Sequence, residues 1–397
     1  MGVVLGDLEV AFTTGFTARW NDRNSGGRLN TGFWQPVPPA GFRALGTLGR
    51  PDYGDPNGVG VAVCVRQAEG RPQALADPVD YEWRYDDKGS GARLNGSTWR
   101  PVPPSGYVAL GDVCADSHYK PALTDAVCVR EDLTAPGPAG GLIWNVADTG
   151  GRHRASMWRI TAPPSYVDAT EGPTKAMIAP GGFVTVAQYE QPAFEEQMRV
   201  LRLPLPSERP GTLPAPPQLT GRSRPASATA PVTDHAVRVP MTAVVDTGRS
   251  VAWKVANSPF YTIERQVAWK LLMFANNATS VDQWLEDAVT VGVEKSTSES
   301  FQVTTGVSVT VESGVQLAGA GSQVSATVST ELGYATSTSV SHFEQRTVTR
   351  KMITPAGHAA AMWVGAYSLR TVRGDGSVVG QALAFDGDSF HTDQYPD

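Results

Sequence analysis

Cysteine is scarce in this chain: Cys64, Cys114 and Cys128 are the only three among 397 residues. So sparse and odd a set cannot form a disulfide scaffold, and the three read as buried thiols. Long apolar runs are missing too. No stretch approaches about 18 consecutive apolar residues, which excludes a helical membrane span and leaves a β-barrel span open. Lys and Arg form no block, and the formal net charge is −6. Phosphate binding needs clustered cations, so no nucleic-acid partner is expected. The opening MGVVLGDLEVAF lacks a basic region followed by an apolar run, so no standard secretory signal is visible.

Catalytic signatures are also lacking. The six histidines, His118, His153, His235, His342, His358 and His391, make no His-Glu-x-x-His or Cys/His metal spacing, and there is neither a nucleophile elbow nor a P-loop. The expectation is a protein that is not an enzyme, with no cofactor and no metal. Arg373-Gly374-Asp375-Gly376 contains an adhesion-like tripeptide, but Asp-Gly between two apolar runs reads first as a hairpin turn. Asn95 and Asn277 head glycosylation sequons, which matter only in a glycosylating pathway.

What is abundant is glycine (41) and proline (30), beside only 18% charged residues. That balance predicts a turn-rich, all-β fold. Self-comparison finds three copies of one pattern in the first half: RWNDRNSGGRLNTGFWQPVPPAGFRALG from Arg19, RYDDKGSGARLNGSTWRPVPPSGYVALGDV from Arg84, and the degraded WNVADTGGRHRASMWRITAPPSYVDAT from Trp144. They superpose Trp20, Tyr85 and Trp144; Gly26, Gly91 and Gly150; Arg28, Arg93 and Arg152; Trp34, Trp99 and Trp158. Cys64 and Cys128 align in the later strands, where the third copy is read as having Thr185. Each copy reads as a strand, a Gly-rich turn, a strand closed by Trp-x-Pro-x-Pro-Pro, and a hairpin. Three such units, each too small to bury its own face, pack most simply about a pseudo-threefold axis as a β-prism-like or trefoil-like head.

The Trp34, Trp99 and Trp158 set reads as core. At the Gly-rich turns, Trp20 with Asp22, Tyr85 with Asp86 and Asp87, and Trp144 with Asn145 put aromatics beside amides and carboxylates. That combination suits sugar or headgroup recognition, and equally suits turn stabilisation by Asp and Asn. The pattern W-x-P-V-P-P-x-G-Y-x-A-L-G-D followed by C-V-R resembles the vacuolar-protein-sorting-associated-like repeat domain of eukaryotic sorting proteins, which is also fused to some bacterial toxins. The resemblance covers residues 12–195, with two of the three copies matching well.

From Pro204 to Pro231 the chain reads PLPSERPGTLPAPPQLTGRSRPASATAP, which cannot supply a core. It is a semi-extended linker or a loop strapped to the surface. The expected organisation is therefore a head over 1–203, a linker over 204–231 and a second module over 232–397. The second module opens as long strands with turns at Asn257-Ser258-Pro259 and Asn276-Asn277. VAWKLLMF, 267–274, is short enough to favour a strand over a buried helix.

Within that module, period two holds for about fifteen residues in each of two arms. Val303, Val307, Val309, Val311, Val315 and Leu317 share one face of the first arm with Phe301 and Thr305; Ser308, Thr310, Glu312 and Gln316 share the other. The second arm sets Val324, Ala326, Val328, Leu332 and Tyr334 against Ser325, Thr327, Ser329 and Glu331. Folding about Ala318-Gly319-Ala320-Gly321 pairs residues whose numbers add to about 641, so Val309 faces Leu332 and both arms turn the same face outward. No Lys or Arg occurs from Ser296 to Gln345. The arms exceed the roughly 9 to 11 residues that a tilted strand needs to cross a bilayer. One apolar and one hydroxyl-rich face suit a lipid-facing and a lumen-facing side of a barrel closed by several chains. The bland alternative is an ordinary half-buried hairpin.

The order YTIERQVAWKLL, TVGVEKSTSESF, Ser/Thr-rich hairpin, SVSHFEQRTVTRKMI and AAMWVGAYSLRTV resembles the aerolysin and epsilon-toxin family of β-pore-forming toxins over 232–397. The resemblance implies an elongated antiparallel aerolysin-like module and a water-soluble monomer released from its producer. It further implies a surface receptor (glycan, lipid or protein), a ring-shaped homo-oligomer, and insertion of about residues 303–338 into a target-cell membrane. The competing reading is a non-lytic adaptor whose second half is a rigid β stalk.

Overall fold

The computed structural model describes residues 2–163, 175–310, 314–317, 322–334 and 341–396. Its regular structure is nearly all antiparallel β-sheet. Two compact units form, one from residues 1–205 with 249–259 and 321–323, the other from 206–248, 260–320 and 324–397.

In the first unit each repeat builds one three-stranded sheet: Phe16–Asn21 with Gly32–Pro36 and Leu48–Arg50; Asp80–Asp86 with Ser97–Val102 and Val113–Ala115; Ala139–Asn145 with Ser156–Ile160 and Phe183–Val186. Each first strand carries a one-residue bulge, at Arg19, Arg84 and Ile143, immediately before its aromatic. A bulge re-aims the next side chain, and all three aromatics point to one centre. Trp20 and Trp144 lie 5.4 Å apart between ring centroids, Tyr85 and Trp144 5.7 Å, and Trp20 and Tyr85 6.1 Å. These equivalent rings form the pseudo-threefold axis of a β-prism-like body. The second ring of tryptophans is also buried, with Trp99 and Trp158 Nε1 donating to Ser97 and Ser156 Oγ at 2.7 Å. In the first copy the corresponding position is Gly32, and the Trp34 ring lies directly over it.

A second set of sheets uses the later strand of each repeat, Ala62–Gln67, Cys128–Arg130 and Arg199–Pro204, as its centre. There Ala11 pairs with Cys64, Ala76 with Cys128 and Ala135 with Val200. Val200 is thus the third counterpart of Cys64 and Cys128. The expected counterpart, Thr185, instead occupies the place of Cys114, opposite Met157 where Cys114 is opposite Thr98. The degraded copy holds two similar strands, Phe183–Val186 and Arg199–Pro204, and the earlier of them takes the place of Val113–Ala115. All three thiols are free and buried, and burial pushes those of Cys64 and Cys128 up to about 12, which makes them inert.

The second unit centres on a five-stranded sheet in the order Ser207–Glu208, Val232–Pro240, Phe260–Asn276, Ala359–Val372, Leu383–Tyr395. Residues 267–274 lie within its long central strand. The Pro-rich segment straps this sheet. Trp269 Nε1 donates to Pro214 O at 3.0 Å, Thr229 N to Trp269 O and Leu271 N to Ser227 O at 2.8 Å, and Leu219 packs with Leu271 and Trp363. Residues 251–257, expected as strand and grouped with the first unit, form a short helix, because Ser250 caps it by accepting from Trp253 N at 3.2 Å. Beside the sheet, Gln283–Val291 and Arg346–Thr354 pair as a two-stranded ribbon.

Between the ribbon strands the described residues do not form the continuous hairpin expected from period two. The chain forms a helix, Lys295–Thr305, a small hairpin of Val307–Thr310 with Gly314–Leu317, and a second helix, Ser322–Glu331. Val309 pairs with Val315, not with Leu332. Two glycines in the left-handed region end the helices: Gly306 at φ 71°, its N donating to Gln302 O, and Gly333 at φ 77°, its N donating to Thr330 O. A side chain there would be strained.

Candidate functional site

The segment between the ribbon strands, called the stored element below, packs through its apolar residues. Phe301, Val307, Val309, Leu317, Val328, Leu332 and Tyr334 are all buried. Tyr334 packs on Phe343 at 4.6 Å, and Phe343 on Phe385 at 5.6 Å. Among the described side chains of the apolar face read from the sequence, Val303 is the exception, 76% exposed on the first helix. Three residues of the hydroxyl-rich face, Ser325, Thr327 and Ser329, are buried, because a helix brings them inward beside Val328. Ser325 Oγ accepts from Leu317 N at 2.9 Å and Ser329 Oγ donates to Tyr334 O at 2.9 Å. Ser308 and Glu331 are half-buried. Val311 and Glu312 lie outside the described residues. Thr310, Val315, Gln316, Val324 and Ala326 are placed by their backbone alone, on the small hairpin and the second helix.

One polar cluster fastens this element. Arg265, on the long central strand, donates to both Asp234 oxygens at 3.0 and 2.6 Å, and to the Leu332 carbonyl at 2.8 Å. Its guanidinium also lies 5.2 Å from the centre of the Tyr334 ring, within cation–π range. His235 Nδ1 sits 2.9 Å from Arg265 Nη2. Burial favours the neutral form of Asp234, yet the bonds and charge of Arg265 outweigh it and hold the carboxyl below its ordinary value. Burial, then the charge of Arg265, holds His235 below its own. A second tie runs from Val245 N to Thr305 O at 2.9 Å, and a side chain at Gly306 would collide with Val245. Periodicity gives no hint of Arg265, Asp234 or His235; the only sequence signal is an unusual charge pair facing across two strands.

The aromatic receptor-binding set is corrected by burial. Trp20, Tyr85 and Trp144 form the axis of the first unit and offer no exposed ring face. The polar partners are turn formers: Asn145 Oδ1 and Asp86 Oδ1 accept from the backbone N two residues on, Asp22 and Asp87 from the N nine residues on, and Trp144 Nε1 donates to Asp22 at 2.8 Å. The adhesion-like tripeptide is likewise a turn, in which Arg373 is tied to Asp246 by bonds of 2.8 and 3.0 Å. Asn277 is buried, its amide donating to three carbonyls. Among the described residues no helix is long and apolar enough to cross a membrane.

Comparison with known proteins places two families along the chain. The vacuolar protein sorting-associated protein 62 family matches residues 1–208, just over half of the chain. The insecticidal crystal toxin P42 family matches residues 236–384, the stretch whose order of features resembles the aerolysin and epsilon-toxin family. Similar solved structures include GNIP1Aa from Chromobacterium piscinae, 23% identical with a TM-score of 0.41, over 49% of this chain and 37% of that one. Cry35Ab1 is 11% identical with a TM-score of 0.37, over 100% of this chain and 91% of that one. No curated protein matches.

Proposed function

The chain belongs to the vacuolar protein sorting-associated protein 62 family, and we propose that this member is a pore-forming toxin, insecticidal in the sense of the crystal-toxin family it resembles over 236–384. The first unit is its docking head. The stored element, 295–345, unlatches on a target membrane, and copies of the chain assemble into a ring. Each copy contributes one amphipathic hairpin to a transmembrane β-barrel, as in the aerolysin-like scheme.

One observation carries the reading. The ribbon pairs residues whose numbers add to 637, from Gln283 with Thr354 to Val291 with Arg346. Continued through the stored element, that register sets Val303 opposite Tyr334 and Val309 opposite Val328, while Ser308 faces Ser329 and Thr310 faces Thr327. One face then gathers the apolar residues of both arms, with Thr305, Ser313, Ser322 and Thr330 among them, while the other face carries only Ser, Thr, Gln, Glu and Gly from 302 to 316 and from 321 to 333, with the tip at Ala318 and Gly319. The register differs by four from the one taken from the sequence, but the faces are the same. Lys295 and Arg346 bracket a stretch without Lys or Arg, so no cation has to enter the bilayer.

The test is release of an encapsulated dye from liposomes and from insect cells, with a parallel search for detergent-resistant oligomers. Release accompanied by oligomers supports the pore. Specific binding without release from any membrane points instead to a non-lytic adaptor.

A further inference from the structure

The three Gly-rich loops of the first unit meet in a closed ring. Arg93 N donates to Arg23 O at 2.9 Å, joining the first loop to the second, and Arg152 N to Lys88 O at 3.4 Å, joining the second to the third. Arg28 pairs with Asp148 at 3.2 Å, joining the third to the first. Inside the ring the carboxylates are covered: Asp22, Asp86 and Asp87 are buried. Outside it stand the cations. Arg28, Arg93 and Arg152 are equivalent and exposed, and neither Arg93 nor Arg152 has an acidic partner among the described residues. Each is followed by an exposed residue, Leu29, Leu94 or His153, with the leucines 37% and 44% accessible. A chain of net charge −6 therefore presents a cationic ring whose tips also carry apolar side chains.

We propose that this loop ring docks the head on an anionic phospholipid surface, the arginines taking lipid phosphates and Leu29 and Leu94 entering the headgroup region. The adjacent leucines single out lipid over a soluble polyanion, for which exposed apolar tips serve no purpose. Arginine suits the role because its planar fork can bind phosphate bidentately. Anionic bilayers attract each basic residue near their surface and lose that attraction in salt. The inference goes beyond the proposed pore activity and does not depend on it, because docking is read without release.

The test is co-sedimentation of the full chain with phosphatidylcholine vesicles, with and without phosphatidylserine. Wild type is expected on the anionic vesicles only, and to come off as salt rises. The double variant Arg93→Glu/Arg152→Glu should bind about tenfold or more weakly, and Leu29→Ser/Leu94→Ser should also weaken, with unchanged circular dichroism. Arg71→Glu, an exposed charge on another loop, should bind like wild type. Equal binding to both vesicle types, or indifference to the loop variants, would overturn the proposal. So would vesicle binding that ignores the leucines while soluble heparin is bound through the same arginines.

Discussion

Arg265 donates a hydrogen bond to the carbonyl oxygen of Leu332 at 2.8 Å, while its other nitrogens grip the buried carboxylate of Asp234. The strand that forms the middle of the sheet thereby holds the end of the second helix of the stored element. Replacing Arg265 by Met should destabilise the soluble form by about 3–5 kcal/mol, because Asp234 is left buried without its partner. Denaturant unfolding measures this directly. Asp234→Asn should cost less and, like Arg265→Met, should release dye at lower protein concentration. Normal stability in Arg265→Met would remove the latch from the account.

Acid should loosen the same latch. The folded form holds His235 below the usual 6.5, so the unfolded chain takes up that proton first. The stabilising contribution is then complete above about pH 6.5 and is lost as pH falls through that value toward the folded pKa. Asp234, also depressed, adds a second loss only further down, as pH falls through the carboxylate range toward its own folded pKa. Unfolding midpoints measured between about pH 7 and 5 should fall for wild type and flatten in His235→Gln.

Val303 separates the two states of the element. It is exposed on the first helix of the stored form but belongs to the apolar face of the hairpin, so Val303→Arg should leave the monomer's stability unchanged and reduce dye release. Near the bilayer edge the cost is about 1 kcal/mol per copy, multiplied around the ring. Gln302→Arg, its exposed neighbour on the opposite face, should release dye normally and shift ion selectivity. Val309 is a poorer probe, because it is buried in the stored form. Equal loss in both variants would contradict the assigned faces.

The axial aromatics should behave as core. Tyr85→Ala or Trp144→Ala should cost about 3–5 kcal/mol, as large-to-small core substitutions do. Thermal unfolding checks this, and vesicle binding should fall only in proportion to the folded fraction. A stable variant that specifically loses binding would restore the aromatics as a recognition surface.

The repeats were legible because Trp, Gly and Pro recur in register, and that register fixes a threefold arrangement. Which way Trp20, Tyr85 and Trp144 point was not legible. An aromatic beside Asp at a turn looks like a binding surface until three copies close on one another, and the bulges at Arg19, Arg84 and Ile143 that turn the rings inward leave no mark on the sequence. The stored element hid for a different reason. Ser325, Val328, Ser329 and Leu332 follow the spacing of one helical face, while Val324, Ala326 and Val328 alternate as a strand does, so one stretch satisfies both periods. Small hydroxyl residues make this possible, since they tolerate burial when hydrogen-bonded. Gly306 and Gly333 were the available clue, as helix-ending glycines.

The most direct measurement joins Leu317 to Ser325, whose backbone and hydroxyl meet at 2.9 Å in the stored form and which the proposed hairpin register separates along the arms. The variant Leu317→Cys/Ser325→Cys, oxidised, should fold, bind membranes and release no dye, and reduction should restore release to the level of the unlinked chain. Equal release from the oxidised and reduced forms would contradict refolding of this element as the source of the pore.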